Sequence, residues 1–308
     1  MSIRIAIIIC LNVVGITHAQ EPDTLWSDFY GLDQHQSEFI GAIETNIGNY
    51  KLVTINEGDN GPEIRIFVIN PEKTMISEKV FTLNEIAEAS LSDSLEIGLS
   101  LAGYGYGFIE KPDGGSFIIF GEGCYIQEYV NDSVVNYQSQ ILIVNLDVND
   151  NLVSTNHFGL EEPYDEYSTS YTVTQEGALL VAGMRFNQNS YLAQEMLIKI
   201  NGDGSEAWVK TVQMDNEFQV MDIEVDDDEI YVLYDINVDE TPQLLLKKLD
   251  SSGESLWQRQ YDQFNYLYGV SLITHDNYVT IISAFEHTDG NGFALFHISS
   301  TGELNGYE

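Results

Sequence analysis

Four carboxylates, Glu44, Glu110, Asp222 and Glu224, fall on the predicted innermost strands of a repeating β unit. Two such groups projecting into one channel could serve as acid and as base or nucleophile on a glycosidic bond. An aromatic stands 11 or 12 residues before an apolar strand in every unit: Phe39, Tyr106, Tyr167, Phe218 and Tyr266, with Tyr104 and Tyr268 beside them. One aromatic per repeat makes a ring about a pseudo-symmetry axis. Such a ring is either a stacking surface for a sugar or peptide or a set of wedges between units.

Other chemistry is weaker. The segments 147-DVNDN-151, 201-NGDG-204 and 224-EVDDDE-229 crowd oxygen ligands of the kind calcium uses, but none completes a D-x-D-x-D-G loop with a distal glutamate. All three sit where a hairpin must reverse, so solvated turns are expected and no metal. The chain has no G-x-S-x-G, no H-E-x-x-H, no C-x-x-C and no phosphate loop. The run 103-GYGYGF-108 misses the dinucleotide spacing and opens no helix, so no cofactor is expected.

The elements that must hold these residues repeat. The turns 69-INPEKTMIS-77, 146-LDVNDNLVS-154, 200-INGDGSEAW-208, 249-LDSSGESLW-257 and 298-ISSTGEL-304 each follow an apolar run. A second apolar run precedes each of these: YKLVTI, FIIFG, ALLVAG, IYVLY and YVTIIS. Asp, Asn and Gly at the reversals supply side-chain-to-backbone bonds and positive φ. The unit is strand, turn, strand, loop, strand, turn, strand in about fifty residues. Its middle strands are apolar on both faces, as a sheet packed between two other sheets requires. The sequence therefore predicts an all-β fold, a β-propeller of five four-stranded blades, the second entered through an insertion near residues 83–102.

The segment 24-TLWSDFYG-31 matches 255-SLWQRQYD-262, with Trp26 at the place of Trp257 and Tyr30 at that of Tyr261. The last copy reaches 299-SSTG-302 and ends at Glu308 with no tryptophan strand of its own. Thr24 to Tyr30 is expected to be the outermost strand of the last blade, covering an edge that would otherwise invite association. Trp26, Trp208 and Trp257 are read as packing between blades, with Val80 and Phe158 near the same place in the other two copies.

The turns D-S-S-G-E-S-L-W and N-G-D-G-S-E-A-W resemble the D-x-x-G-x-x-x-W repeat of secreted bacterial β-propeller proteins, many of them type IX secretion cargo. D-G-G-S-F-I-I-F-G is similar to their D-G-G-Y-x-x-x-G. The resemblance spans nearly the whole mature chain and implies a blade architecture and export. It implies no activity.

Residues 1–19 read as a signal peptide: Arg4, an apolar stretch from Ile5 to Ile16, then Thr17-His18-Ala19. Residues 20–308 are then a single secreted domain with one cysteine, Cys124, and no internal disulfide. With 12 basic and 49 acidic residues the formal charge is −37, which repels nucleic acid and anionic membranes. The expected product is a monomeric, non-catalytic propeller that binds an extracellular glycan, peptide or protein at one end of its channel. A propeller glycoside hydrolase and a purely structural module remain the alternatives.

Overall fold

The computed structural model describes residues 37–307 apart from 46, 59–60, 83–84, 87–94, 100–105, 131–132, 159–163, 191, 263–266, 276–277 and 288–289. Its sheets follow the repeat. Blade 1 is β1 (Ser37–Glu44), β2 (Tyr50–Gly58), β3 (Gly61–Ile69) and β4 (Met75–Thr82). Blade 2 is β6 (Tyr106–Glu110), β7 (Ser116–Val130), β8 (Ser133–Leu146) and β9 (Leu152–Phe158), with β5 (Leu95–Leu99) paired to the far half of β7. Blade 3 is β10 (Tyr164–Val173), β11 (Leu179–Asn187), β12 (Ala193–Ile200) and β13 (Glu206–Gln213). Blade 4 is β14 (Glu217–Asp226), β15 (Glu229–Val238), β16 (Thr241–Leu249) and β17 (Ser255–Tyr261). Blade 5 is β18 (Leu267–His275), β19 (Tyr278–His287), β20 (Gly290–Ser299) and β21 (Leu304–Tyr307). Every pairing is antiparallel between neighbours in order, which makes the chain a five-bladed β-propeller.

The doubly apolar middle strands do what their pattern requires. On β15, Val232 and Tyr234 pack toward blade 3, while Tyr231 and Leu233 pack toward blade 5. Among the described residues four cores join neighbouring blades, between blades 1 and 2, 2 and 3, 3 and 4, and 4 and 5. Each fully buried Ile, Leu, Val or Phe in them contributes about 1.5–3 kcal/mol relative to exposure. Leu52, Phe67 and Ile69 are buried on the other face of blade 1.

The turns between the first and second strands and between the third and fourth all lie at one end of the blades, called here the turn end. The third-to-fourth turns share one geometry. In each, the first residue and the fourth or fifth exchange backbone bonds, as Asp250 with Gly253 and Glu254. The fourth residue has positive φ: Lys73, Asp150, Gly204, Gly253 and Gly302. The first side chain then caps the turn, with Thr74 N–H donating to Asn70, Asn151 N–H to Asp147 and Glu254 N–H to Asp250.

The turns of blades 2 to 5 dock on the fourth strand of the preceding blade. Trp208 Nε1 donates to Ser251 O at 3.3 Å and Trp257 Nε1 to Ser300 O at 3.1 Å. A Cβ on Gly253 or Gly302 would come within 3.1 and 3.2 Å of these indole rings. Trp208 and Trp257 thus join blades, as their spacing indicates. Ser77 and Ser154, rather than Val80 and Phe158, occupy the matching place, since they pair with Val68 and Asn145 as Trp257 pairs with Lys248.

One expectation is narrowed. The fourth strand of blade 5 begins with the chain's own β21, whose Gly306 sits opposite His297 at the tryptophan place. β21 escaped the sequence reading because a four-residue strand, LNGY, is too short to carry a periodic signal. Thr24 to Tyr30, with Trp26, lie outside the described residues. So does most of the insertion near 83–102, of which β5 is a described part.

Candidate functional site

Four innermost strands carry the aromatics to the end opposite the turns, the loop end. Phe39 is on β1, Tyr106 begins β6, Tyr167 is on β10 and Phe218 is second on β14. Phe39 is 37% exposed, and the other three are half-buried. Tyr106 meets Phe120 edge-on, with ring centres 5.8 Å apart, and packs on the core between blades 1 and 2. Phe218 lies 6.3 Å from the Tyr234 ring and packs between blades 3 and 4. These two wedge between blades and keep part of their surface exposed. Tyr268 is the second residue of β18, and only its backbone place is described. Tyr104 and Tyr266 lie outside the described residues.

The glycine-rich run beside Tyr106 has a packing purpose. A Cβ on Gly107 would lie 2.2 Å from the Tyr171 ring, and one on Gly41 would lie 2.9 Å from Phe108 Cβ. Bare backbone lets the innermost strands of blades 1, 2 and 3 approach one another.

Of the four carboxylates only Asp222 and Glu224 lie close enough to feel each other. Glu44 and Glu110 end their strands at the turn end, remote in register from the aromatics. Glu44 is exposed. Burial raises the Glu110 pKa, partly offset by Lys51. Asp222 occupies the middle of β14, immediately after a β-bulge. Bulges recur at the same register on β1, β10 and β18, placing Gly41, Ser170 and Ser271 in equivalent positions. Asp222 is the acidic member of that set and joins three blades. Ser170 Oγ donates to its Oδ1 at 2.7 Å, while Ser271 Oγ and Leu272 N–H donate to Oδ2 at 2.8 and 2.7 Å. Its own neighbour Ile223 N–H also donates to Oδ1. Both oxygens are therefore committed to holding strands. Glu224, one step toward the turn end, accepts from Thr172 Oγ1 at 3.3 Å. Burial and then the Asp222 charge raise its pKa.

Two polar groups escaped sequence reasoning. Asp235 on β15 accepts the Gly269 N–H at 2.6 Å, and burial lifts its pKa to about 6. Asp235 and Asp222 thus hold the β18 bulge from two sides. Between blades 3 and 4, buried Glu195 takes Lys247 Nζ on one oxygen and the Tyr234 hydroxyl on the other. Burial and then the Glu195 charge raise the Tyr234 pKa strongly. A bulge depends on pairing register and a buried ion pair on long-range contacts, and a single sequence displays neither.

The acidic turns spend their oxygens locally. Asp147, Asp203 and Asp250 accept two or more bonds from their own turns, which lowers each pKa, the side-chain bond being the largest cause. Among the described residues no cluster of three His, Cys, Asp or Glu could hold a metal ion. Among the described residues, clefts open at the turn end. One of about 350 Å³ lies between blades 3 and 4, beside Glu176, Lys199, Asp227 and Asp228. A shallower one of about 340 Å³ lies between blades 2 and 3, beside Glu110 and Thr172.

No protein-family model matches the chain, and no curated protein does. Solved structures are similar only at a distance. An α-L-arabinofuranosidase (CtGH43) of Clostridium thermocellum shares 9% identity at a TM-score of 0.42, over 90% of this chain and 95% of that one. A Synechocystis apocarotenoid oxygenase mutant shares 8% at 0.46, over 87% of this chain. The lignostilbene dioxygenase of Pseudomonas brassicacearum shares 11% at 0.46, again over 87%. The chain spans 58% and 62% of the length of these two oxygenases. Likeness this distant carries no inference about activity.

Proposed function

We propose that the chain is a secreted, non-catalytic β-propeller that binds an extracellular glycan, peptide or protein partner at the loop end of its channel. One observation carries the reading. Phe39, Tyr106, Tyr167 and Phe218, from four different blades, come to the same end of the innermost strands with part of each ring accessible. Aromatic faces supply large contact area at low entropic cost and are enriched among binding anchors. Export rests on the signal-peptide pattern of residues 1–19.

A hydrolase reading asks two carboxylates to face each other across open space. The committed oxygens of Asp222 and the turn-end places of Glu44 and Glu110 give it less support. The test is a glycan array and a peptide library probed with the wild type and with Phe39→Ala and Tyr167→Ala. A ligand retained by wild type and lost by both variants at unchanged melting temperature supports the reading. Hydrolysis of an arrayed glycan that Glu224→Gln abolishes would replace it.

A further inference from the structure

Each third strand has a residue six positions before the one where the turn begins, facing the next blade: Ile64, Ile141, Glu195, Leu244 and Phe293. The first four are 0%, 0%, 2% and 0% exposed, and Phe293 is 74% exposed. Ile273 and Tyr278 on the same face of blade 5 are 45% and 38% exposed.

The edge of blade 5 is short as well. β4 covers β3 from Ile69 to Glu63, β13 covers β12 from Ile200 to Gln194, and β17 covers β16 from Leu249 to Leu244. β21 covers β20 only from Ile298 to Phe296. Among the described residues, Gly290 to Leu295 therefore has no strand on its outer side. It also carries no charge or proline, the devices that protect a natural edge. A Cβ on Gly306, where an indole stands in blades 3 and 4, would meet nothing within 4 Å.

We propose that residues 24–30 of this chain dock along the uncovered half of β20, with Trp26 beside Gly306 and the following residues over Phe293. Chain order favours this occupant. Each fourth strand runs to the loop end and feeds the innermost strand of the next blade, as β17, ending at Tyr261, feeds β18 at Leu267. Residues 24–30 stand in that same place ahead of β1 at Ser37, so the blade they belong to is the one before blade 1. Their sequence, TLWSDFY, repeats SLWQRQY of β17 at the Leu, Trp and Tyr positions. In β17 the Tyr261 hydroxyl caps the next blade's turn at Gly302 O, 3.1 Å away. In the docked place Tyr30 would do the same for the turn at Asn70–Lys73. A second copy of the chain is the less suited occupant, because each copy carries a formal charge of −37.

Amide hydrogen exchange tests the proposal on the mature chain, on a chain starting at residue 32, and on Trp26→Ala,Tyr30→Ala in the mature chain should the shortened one not fold. The expected result is slow exchange at residues 291–295 in the mature chain and at least tenfold faster exchange there when the segment is removed or doubly substituted. A synthetic peptide of residues 21–32 should restore slow exchange to the shortened chain. Fast exchange already in the mature chain overturns the proposal, and so does slow exchange that survives both changes. Protection that rises with protein concentration assigns the edge to a second copy and also overturns it.

Discussion

The turn end and the loop end of this propeller obey different rules. At the turn end the five third-to-fourth turns repeat one hydrogen-bond pattern and one positive-φ position. At least two of them receive a tryptophan N–H from the preceding blade. Among the described residues the loop end repeats less: the β7–β8 hairpin of blade 2 runs far beyond the others, and the aromatics are a mixture of Phe and Tyr. The difference teaches where each kind of information resides. Uniform geometry holds the blades together, and irregular geometry is free to recognise something. Substitutions at the turn end should cost stability, and those at the loop end should cost binding.

The largest expected effect is at the turn end. Trp257→Ala removes a ring packed on the Gly302 turn and the indole bond to Ser300. A loss of about 2–3 kcal/mol is expected in urea unfolding, below the fully buried range because the ring is only partly enclosed. A loss under half a kcal/mol would mean that the turns do not depend on their docking partners.

Next comes the waist between the two ends. Asp222→Ala deprives two hydroxyls and the Leu272 N–H of their acceptor, an expected cost of about 2 kcal/mol. Asp222→Asn keeps one acceptor oxygen and should recover part of that loss. If both variants were as stable as the parent, Asp222 would return to the list of groups available for chemistry.

A smaller effect depends on pH. The folded Asp235 has a pKa of about 6 against an ordinary 3.8, so the folded state holds more protons than the unfolded one between those values. Stability from this group is therefore greatest below pH 4 and falls as pH rises toward 6. Asp235→Asn removes the penalty while keeping an acceptor for Gly269 N–H. The variant should exceed the parent by about 1 kcal/mol at pH 7, allowing for solvent screening, and the gap should shrink below pH 4. A difference between the two curves that stays constant from pH 3.5 to 7 would contradict the burial argument.

The two ends were also unequally legible in the sequence. Asp250, Gly253 and Trp257 announce a turn and its docking partner, because local backbone chemistry dictates residue type there. The apolar runs YKLVTI and IYVLY likewise expose the sheet-between-sheets packing. The bulges before Gly41, Ser170, Asp222 and Ser271 left no trace, since Gly, Ser and Asp there answer to axial neighbours on other blades. Asp222 could thus be placed on an innermost strand and considered for catalysis, while its three-blade hydrogen bonding stayed invisible. The short β21 was missed for the opposite reason, being too brief to show any period.

The smallest stability effect belongs to the residue on which the binding proposal leans most. Phe39 is 37% exposed on β1, opposite Thr54 and beside the bulge at Gly41. Truncating a ring that already faces water forfeits little buried area, so Phe39→Ala should change unfolding free energy by less than about 1 kcal/mol. Tyr106→Ala, by contrast, empties the space against Phe120 and should cost about 2 kcal/mol. The pair separates packing from recognition at the same end of the molecule. A ligand from the glycan or peptide screen should lose at least tenfold in affinity on Phe39→Ala while the melting temperature holds. Titration calorimetry reads the first quantity and a thermal melt the second. Unchanged affinity in Phe39→Ala and a loss in Tyr106→Ala that tracks only its lower stability would leave the loop-end aromatics as wedges and remove the platform from the proposal.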